Sequence, residues 1–157
     1  MYIRRAECKD IPRINDLLLQ VLNIHAKGRP DIFIPNTRKY RTDELEEIIK
    51  DDSRPIFVAL DEENIVQGYA FCIYEEVKNS NNLHDMKSLY IDDLCVDSAC
   101  RGKHIGTELY NYVCDEAKRN GCYRITLNVW CLNTSAMKFY ESMGMDKLKI
   151  VMEKVLD

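Results

Sequence analysis

Residues 94–106, Leu94-Cys95-Val96-Asp97-Ser98-Ala99-Cys100-Arg101-Gly102-Lys103-His104-Ile105-Gly106, constrain this chain more than any other stretch. An apolar strand end runs through a short polar turn, and Ile105, Leu109, Tyr112, Val113 and Ala117 then recur at helical spacing. A strand that feeds a helix through so short a loop leaves unpaired backbone N–H groups facing out of the helix start, where anions bind. Many strand-to-helix loops share that geometry. Here Gly102 and Gly106 let backbone approach an anion, and Arg101 and Lys103 add positive charge. The loop has neither Gly-Lys-Ser/Thr at Walker spacing nor G-x-G-x-x-G, which excludes nucleotide hydrolysis and dinucleotide binding of those types.

Around this stretch the chain alternates strand and helix patterns. Residues 2–7 read as a strand, and Asp10 with Pro12 opens a helix carrying Ile14, Leu17, Leu18, Val21 and Leu22. A loop with Phe33, Pro35 and Tyr40 leads to a second helix, capped near Thr42 and carrying Leu45, Ile48 and Ile49. Residues 56–60 and 65–77 read as a hairpin, residues 78–87 as a polar loop and residues 88–96 as the strand that enters the loop. The helix after the loop ends at Asn120-Gly121. A buried strand over 123–130, a short helix over 134–143 and a last strand within 147–156 complete the order βααβββαβαβ. The 157 residues are expected to form one domain, 1–157, of α/β (α+β) class.

Arg101 to Gly106 resembles the pyrophosphate-binding signature Q/R-x-x-G-x-G/A of the GCN5-related N-acetyltransferases, the GNAT family, with His104 standing at its central glycine. Asn133-Thr134-Ser135-Ala136-Met137-Lys138-Phe139-Tyr140-Glu141-Ser142-Met143-Gly144-Met145 resembles the family's second signature, in which Asn, Ala, Tyr and Gly recur at this spacing. The resemblance covers nearly the whole chain. It implies a mixed, mostly antiparallel sheet flanked by helices, and acetyl-CoA as co-substrate. Arg101, Gly102, Lys103, His104, Ile105, Gly106 and Thr107 would then face the pyrophosphate, and the backbone of Leu94, Cys95 and Val96 would line the pantetheine arm. His104 either donates to a phosphate oxygen or faces solvent.

Direct acetyl transfer needs a polarised carbonyl, an uncharged amine and a proton for the departing thiolate. The resemblance makes Tyr140 the general acid, its phenol being protonated at neutral pH; the alternative is an aromatic packed beside Phe139. Asn133 is a helix cap, a cofactor contact or both. Asp92-Asp93 and Trp130 loosely resemble the polyamine acetyltransferases of the family, where the first carboxylate of the pair is the base. Asp92 is therefore favoured, with Asp93, Glu75 and Glu76 behind it. A regular strand would point Asp92 and Asp93 to opposite faces, leaving one in the site. The rival reading is a catalytically silent acyl-CoA-binding module on the same fold.

The remaining composition narrows partners rather than fold. A net charge of −4 with no basic block disfavours nucleic acid. Seven cysteines without a C-x-x-C pair, and only three histidines, argue for free thiols and against a metal site. No apolar run reaches membrane-spanning length and the start lacks a secretory segment, so a cytoplasmic location is expected. The acceptor, whether polyamine, antibiotic, other small amine or protein N-terminus, stays open, as does the choice between a monomer and the homodimer that the family resemblance allows, since no residue fixes an interface.

Overall fold

The computed structural model describes residues 1–156. β1 (Tyr2–Arg5) passes through a short helical turn into α1 (Ile11–Gly28), followed by α2 (Thr42–Lys50), β2 (Ile56–Leu60), β3 (Val66–Val77) and β4 (Met86–Val96). After a second short turn come α3 (Ile105–Arg119), β5 (Arg124–Leu127) and α4 (Thr134–Ser142). Pro12 lies in the first turn of α1, as the sequence predicts. The Asp10 carboxylate bonds the Glu7 N–H at 2.8 Å and pairs with Arg4 at 2.7 Å, tying the end of β1 to the start of the helix.

The five strands lie in the order β1-β2-β3-β4-β5, antiparallel except for the parallel β4–β5 pair. Alternating side chains divide the sheet between two apolar layers. Val58, Leu60, Tyr69 and Phe71 pack with Ile14, Leu17 and Leu45 of α1 and α2. Phe57, Ala59, Ala70 and Cys72 pack with Leu109 and Val113 of α3, and with Phe139 and Tyr140 of α4. A fully buried aliphatic side chain of this size contributes about 1.5–3 kcal/mol by leaving water.

One irregularity decides where the site can be. Phe71 pairs with Asp93 and Cys72 with Ile91, so Asp92 is an extra residue with no ladder partner, a β-bulge. Leu89 and Ile91 face α3, whereas beyond the bulge Cys95 packs on the α1 side. The bulge therefore exchanges the faces of β4 half-way along it. The β4–β5 pairing also stops at Ile91↔Leu127, next to the bulge, and the two strands separate beyond it.

Two sequence expectations are corrected. The predicted buried strand over 123–130 is only the four residues of β5, half-exposed because it forms the sheet edge and because residues 128–130 leave the ladder. No strand forms within residues 147–156, so the observed order ends βααβββαβα. A strand needs a partner for its backbone groups, and none lies beside this segment among the described residues. Its Leu148, Ile150, Val151, Met152, Val155 and Leu156 are all exposed, and Glu153 pairs with Arg29 beyond the end of α1.

Close approach of β3 to β4 requires Gly68, where a Cβ would lie 2.7 Å from the Cys95 carbonyl oxygen and 3.0 Å from Leu109 Cδ1. The oxygen belongs to the paired ladder and cannot move aside. Gly68→Ala is expected to lower the unfolding free energy by about 1–3 kcal/mol in a urea titration; an unchanged midpoint would show that the two strands can separate freely there.

Candidate active site

The bulge brings both carboxylates to one place, contrary to the expectation from regular alternation. Lys39, from the loop of residues 29–41, lies with its Nζ 3.3 Å from Asp92 Oδ2 and 3.9 Å from Asp93 Oδ2. Tyr69 Oη donates to Asp93 Oδ2 at 3.2 Å. Asp93 is the more enclosed of the pair, with a side chain 14% exposed against 29% for Asp92. Burial pushes Asp93 up to about 6, with Lys39 and the Tyr69 hydroxyl opposing the rise. Glu75 and Glu76 do not join them. They stand opposite Ser88 and Lys87 farther along the hairpin, and Glu76 pairs with Lys78.

One aromatic stack stands beside Asp93, and a second aromatic cluster joins α1, the loop after it and the segment after β5. Tyr40 stacks on Phe71, the ladder partner of Asp93, at 5.9 Å between ring centroids. Phe33 meets Trp130 edge-on at 5.4 Å and lies 5.2 Å from His25. Partial burial, with a smaller effect of Lys39, lowers the His25 pKa. The sequence offered no sign of Lys39 or His25, since a single lysine in a polar loop and a single histidine on an amphipathic helix have no pattern of their own.

Tyr140 projects from α4 into the α3-side layer, 6.3 Å from the Tyr110 ring and 5.1 Å from Phe139. Burial and the charge of Asp93 push its phenol well above the usual value, so it holds its proton throughout the neutral range. Asn133 is the N-cap of α4, its side-chain oxygen accepting from the Ala136 N–H at 3.2 Å.

At the start of α3 no side chain caps the helix, so the first amides, those of Ile105, Gly106 and Thr107, are open to an anion. Arg101, Gly102, Lys103 and His104 are exposed around it. His104 occupies the left-handed region at φ 62°, and Gly102 does so at φ 79°. The residue at 104 must turn the chain left-handed into the helix, which is the physical reason that the signature prefers glycine there; histidine tolerates the conformation better than most side chains. A Cβ on Gly106 would meet Phe139 and Val96 at an ordinary 3.6 Å, so glycine or alanine fits. Asp97 holds the loop from beneath. It accepts from the Ala99 N–H at 3.0 Å and pairs with Arg13 of α1, while Gln20 accepts from the Ser98 N–H.

Leu94, Cys95 and Val96 lie between these two groups, on the part of β4 from which β5 has parted. An uncapped helix start, a strand segment with a free side, and a pair of carboxylates facing an ammonium therefore follow one another along β4 and into α3. The group set fits a long anionic thioester cofactor, and no group of three or more His, Cys, Asp or Glu able to hold a metal exists among the described residues.

The chain matches the family model described as Acetyltransferase (GNAT) family over residues 18–145. It is 37% identical over 71 residues to a glucosamine 6-phosphate N-acetyltransferase from Arabidopsis thaliana, and that match spans 46% of the relative and 45% of this chain. A mutant form of the BH1408 protein from Bacillus halodurans superposes with a TM-score of 0.95 at 29% identity, covering 99% of each chain. The crystal structure of glucosamine-6-phosphate N-acetyltransferase from Arabidopsis thaliana does so with a TM-score of 0.67 at 26% identity, covering 99% of this chain and 98% of that one.

Asp93 has a sign that can be measured. An unfolded aspartate titrates near about 3.9, so raising it to about 6 means that the folded protein keeps a proton the unfolded chain has lost. This group's penalty is absent in acid, grows as pH rises from the unfolded value to the folded one, and is complete above it. Asp93→Asn is expected to match the native protein near about pH 4 and exceed its stability by about 3 kcal/mol near about pH 8 in urea titrations; equal stability at both values would mean that Asp93 titrates normally.

Proposed function

The chain belongs to the GNAT acetyltransferase family, and from that premise we propose that residues 1–157 form a single domain that transfers an acetyl group from acetyl-CoA directly to a primary amine of a small molecule or peptide. The observation that carries this reading is the bulge at Asp92, which gathers two carboxylates around a primary ammonium. Acetyl-CoA would supply an activated acyl group on a thiol leaving group. The open amides of Ile105, Gly106 and Thr107, with Arg101, Gly102, Lys103 and His104, hold its pyrophosphate, and Asn133 orients the start of α4 beside it. The backbone at Leu94, Cys95 and Val96 guides the pantetheine arm, and an N–H near Val96 polarises the thioester carbonyl.

Asp93 takes the proton from the incoming ammonium. Its pKa of about 6 lies nearer the working pH than that of an ordinary carboxylate, which favours it as base over Asp92 and reverses the order expected from sequence. Asp92, more open to solvent, attracts and orients the ammonium. Tyr140 remains protonated and supplies the proton for the departing thiolate. Phe33, Trp130 and His25 give the acceptor an aromatic wall, suited to a cation that also offers apolar surface. A silent binding module would have no use for a carboxylate near neutrality beside a protonated phenol.

The exposed apolar segment supports a homodimer. β5 ends the sheet with one side unpaired, and residues 147–156 offer strand-forming side chains with nothing over them. A second copy's segment laid along β5 would satisfy both.

Calorimetric titration with acetyl-CoA and free coenzyme A, followed by thiol release with a panel of amines, tests the activity. Binding of both with amine-dependent release is expected, and no binding would overturn the reading. Tyr140→Phe is expected to lower kcat about 100-fold while leaving acetyl-CoA affinity unchanged. In sedimentation experiments the full chain should run as a dimer, and a chain ending at residue 146 as a folded monomer; a monomeric full chain would remove the dimer.

A further inference from the structure

The carboxylates that the proposed function gives to the acceptor already face an amine of the chain itself. Lys39 Nζ, 3.3 Å from Asp92 and 3.9 Å from Asp93, stands where the incoming ammonium of a substrate would stand. Its placement is fixed by its neighbour. Tyr40 stacks on Phe71 with the rings 11° from parallel, and Lys39 Nζ lies 5.3 Å from the Tyr40 ring. Phe71 is in turn the ladder partner of Asp93. The lysine is thus anchored through one aromatic contact to the same rung of the sheet as the carboxylate it faces. Its side chain is 39% exposed, against 78% for Lys118 in a surface ion pair on α3.

We propose that Lys39 is an acetylation site of this same centre, its tethered amine accepting the acetyl group of acetyl-CoA within one molecule. The proposal rests on the acetyl-CoA-dependent reading above. In the reaction the Lys39 ammonium gives one proton to Asp93, the nitrogen forms a bond to the acetyl carbonyl carbon, and the carbon–sulfur bond breaks. The sulfur receives a proton from Tyr140, which is restored by the second proton lost from the nitrogen. Lysine ammonium and acetyl-CoA become acetyl-lysine, free coenzyme A and one proton, which Asp93 passes to solvent. The product is neutral, so it no longer competes with a cationic acceptor for Asp92 and Asp93.

Two acylating reagents distinguish this from a structural ion pair. With acetic anhydride, which needs no site, Lys39 should react more slowly than Lys118, because its ion pairs and partial burial shield it. With acetyl-CoA the order should reverse, peptide mass mapping showing one acetyl group at Lys39 about tenfold or more ahead of Lys118, since a general acid alone contributes about 100-fold. The Lys39 rate should be independent of protein concentration and fall in Tyr140→Phe, while Lys118 labelling stays the same. Calorimetry on the same sample separates the two failures. If acetyl-CoA binds and Lys39 gains no acetyl group, or gains it in the same order as with the anhydride, the inference is overturned and the enzyme reading stands. If acetyl-CoA does not bind, both fall. A Lys39 rate proportional to protein concentration would overturn the intramolecular step.

Discussion

A strand keeps its two faces apart only while its ladder stays in step, and β4 goes out of step once, at Asp92. Before that residue its buried side chains belong to the α3 layer; after it they belong to the α1 layer. The site depends on this single change of phase. It turns Asp93 toward Tyr69 and Phe71, leaves Asp92 free of a ladder partner, and puts both within reach of the loop that follows α1. The separation of β5 from β4 begins beside it, so the carboxylate pair and the open side of the strand share one location.

Electrostatics then follow from geometry. Two adjacent carboxylates in a partly closed cleft repel one another and lose hydration, and the Lys39 ammonium compensates both. The Tyr40–Phe71 stack beside Asp93 adds apolar surface without charge, which strengthens these interactions. The helix start of α3 and the carboxylates lie at opposite ends of the segment Leu94–Val96, from which β5 has parted, so positive charge stands at one end and negative at the other. An anionic cofactor and a cationic acceptor would approach it without competing.

Much of this could be read in the sequence because it is local. The periodicity of α1 and α3, the hairpin around Asp61–Asn64, and the loop from Arg101 to Gly106 each carry their signal within a dozen residues, and each lies where that signal puts it. The left-handed turn at His104 was legible only through the family's preference for glycine, because the histidine itself does not announce its backbone angle. The bulge left no local sign. Alternation along Leu89, Ile91, Asp93 and Cys95 is unbroken in the sequence, and only the pairing with β3 reveals the extra residue. Likewise the apolar alternation after Lys147 announced a strand, yet a strand exists only where a neighbour receives it.

The bulge also gives β4 a residue whose loss the pairing of the sheet would absorb. Replacing the side chain at Asp92 alters one group at the cleft. Removing the residue would make the ladder regular, with Ile91 and Asp93 consecutive opposite Cys72 and Phe71, so Asp93 and Cys95 would keep the α1 side and Leu94 and Val96 the α3 side. The sheet would lose one carboxylate and the local kink of the bulge, while Val96 kept its place beneath Gly106 at the start of α3. At this point the sheet is a regular ladder carrying one inserted residue, and that insertion is what supplies the second carboxylate.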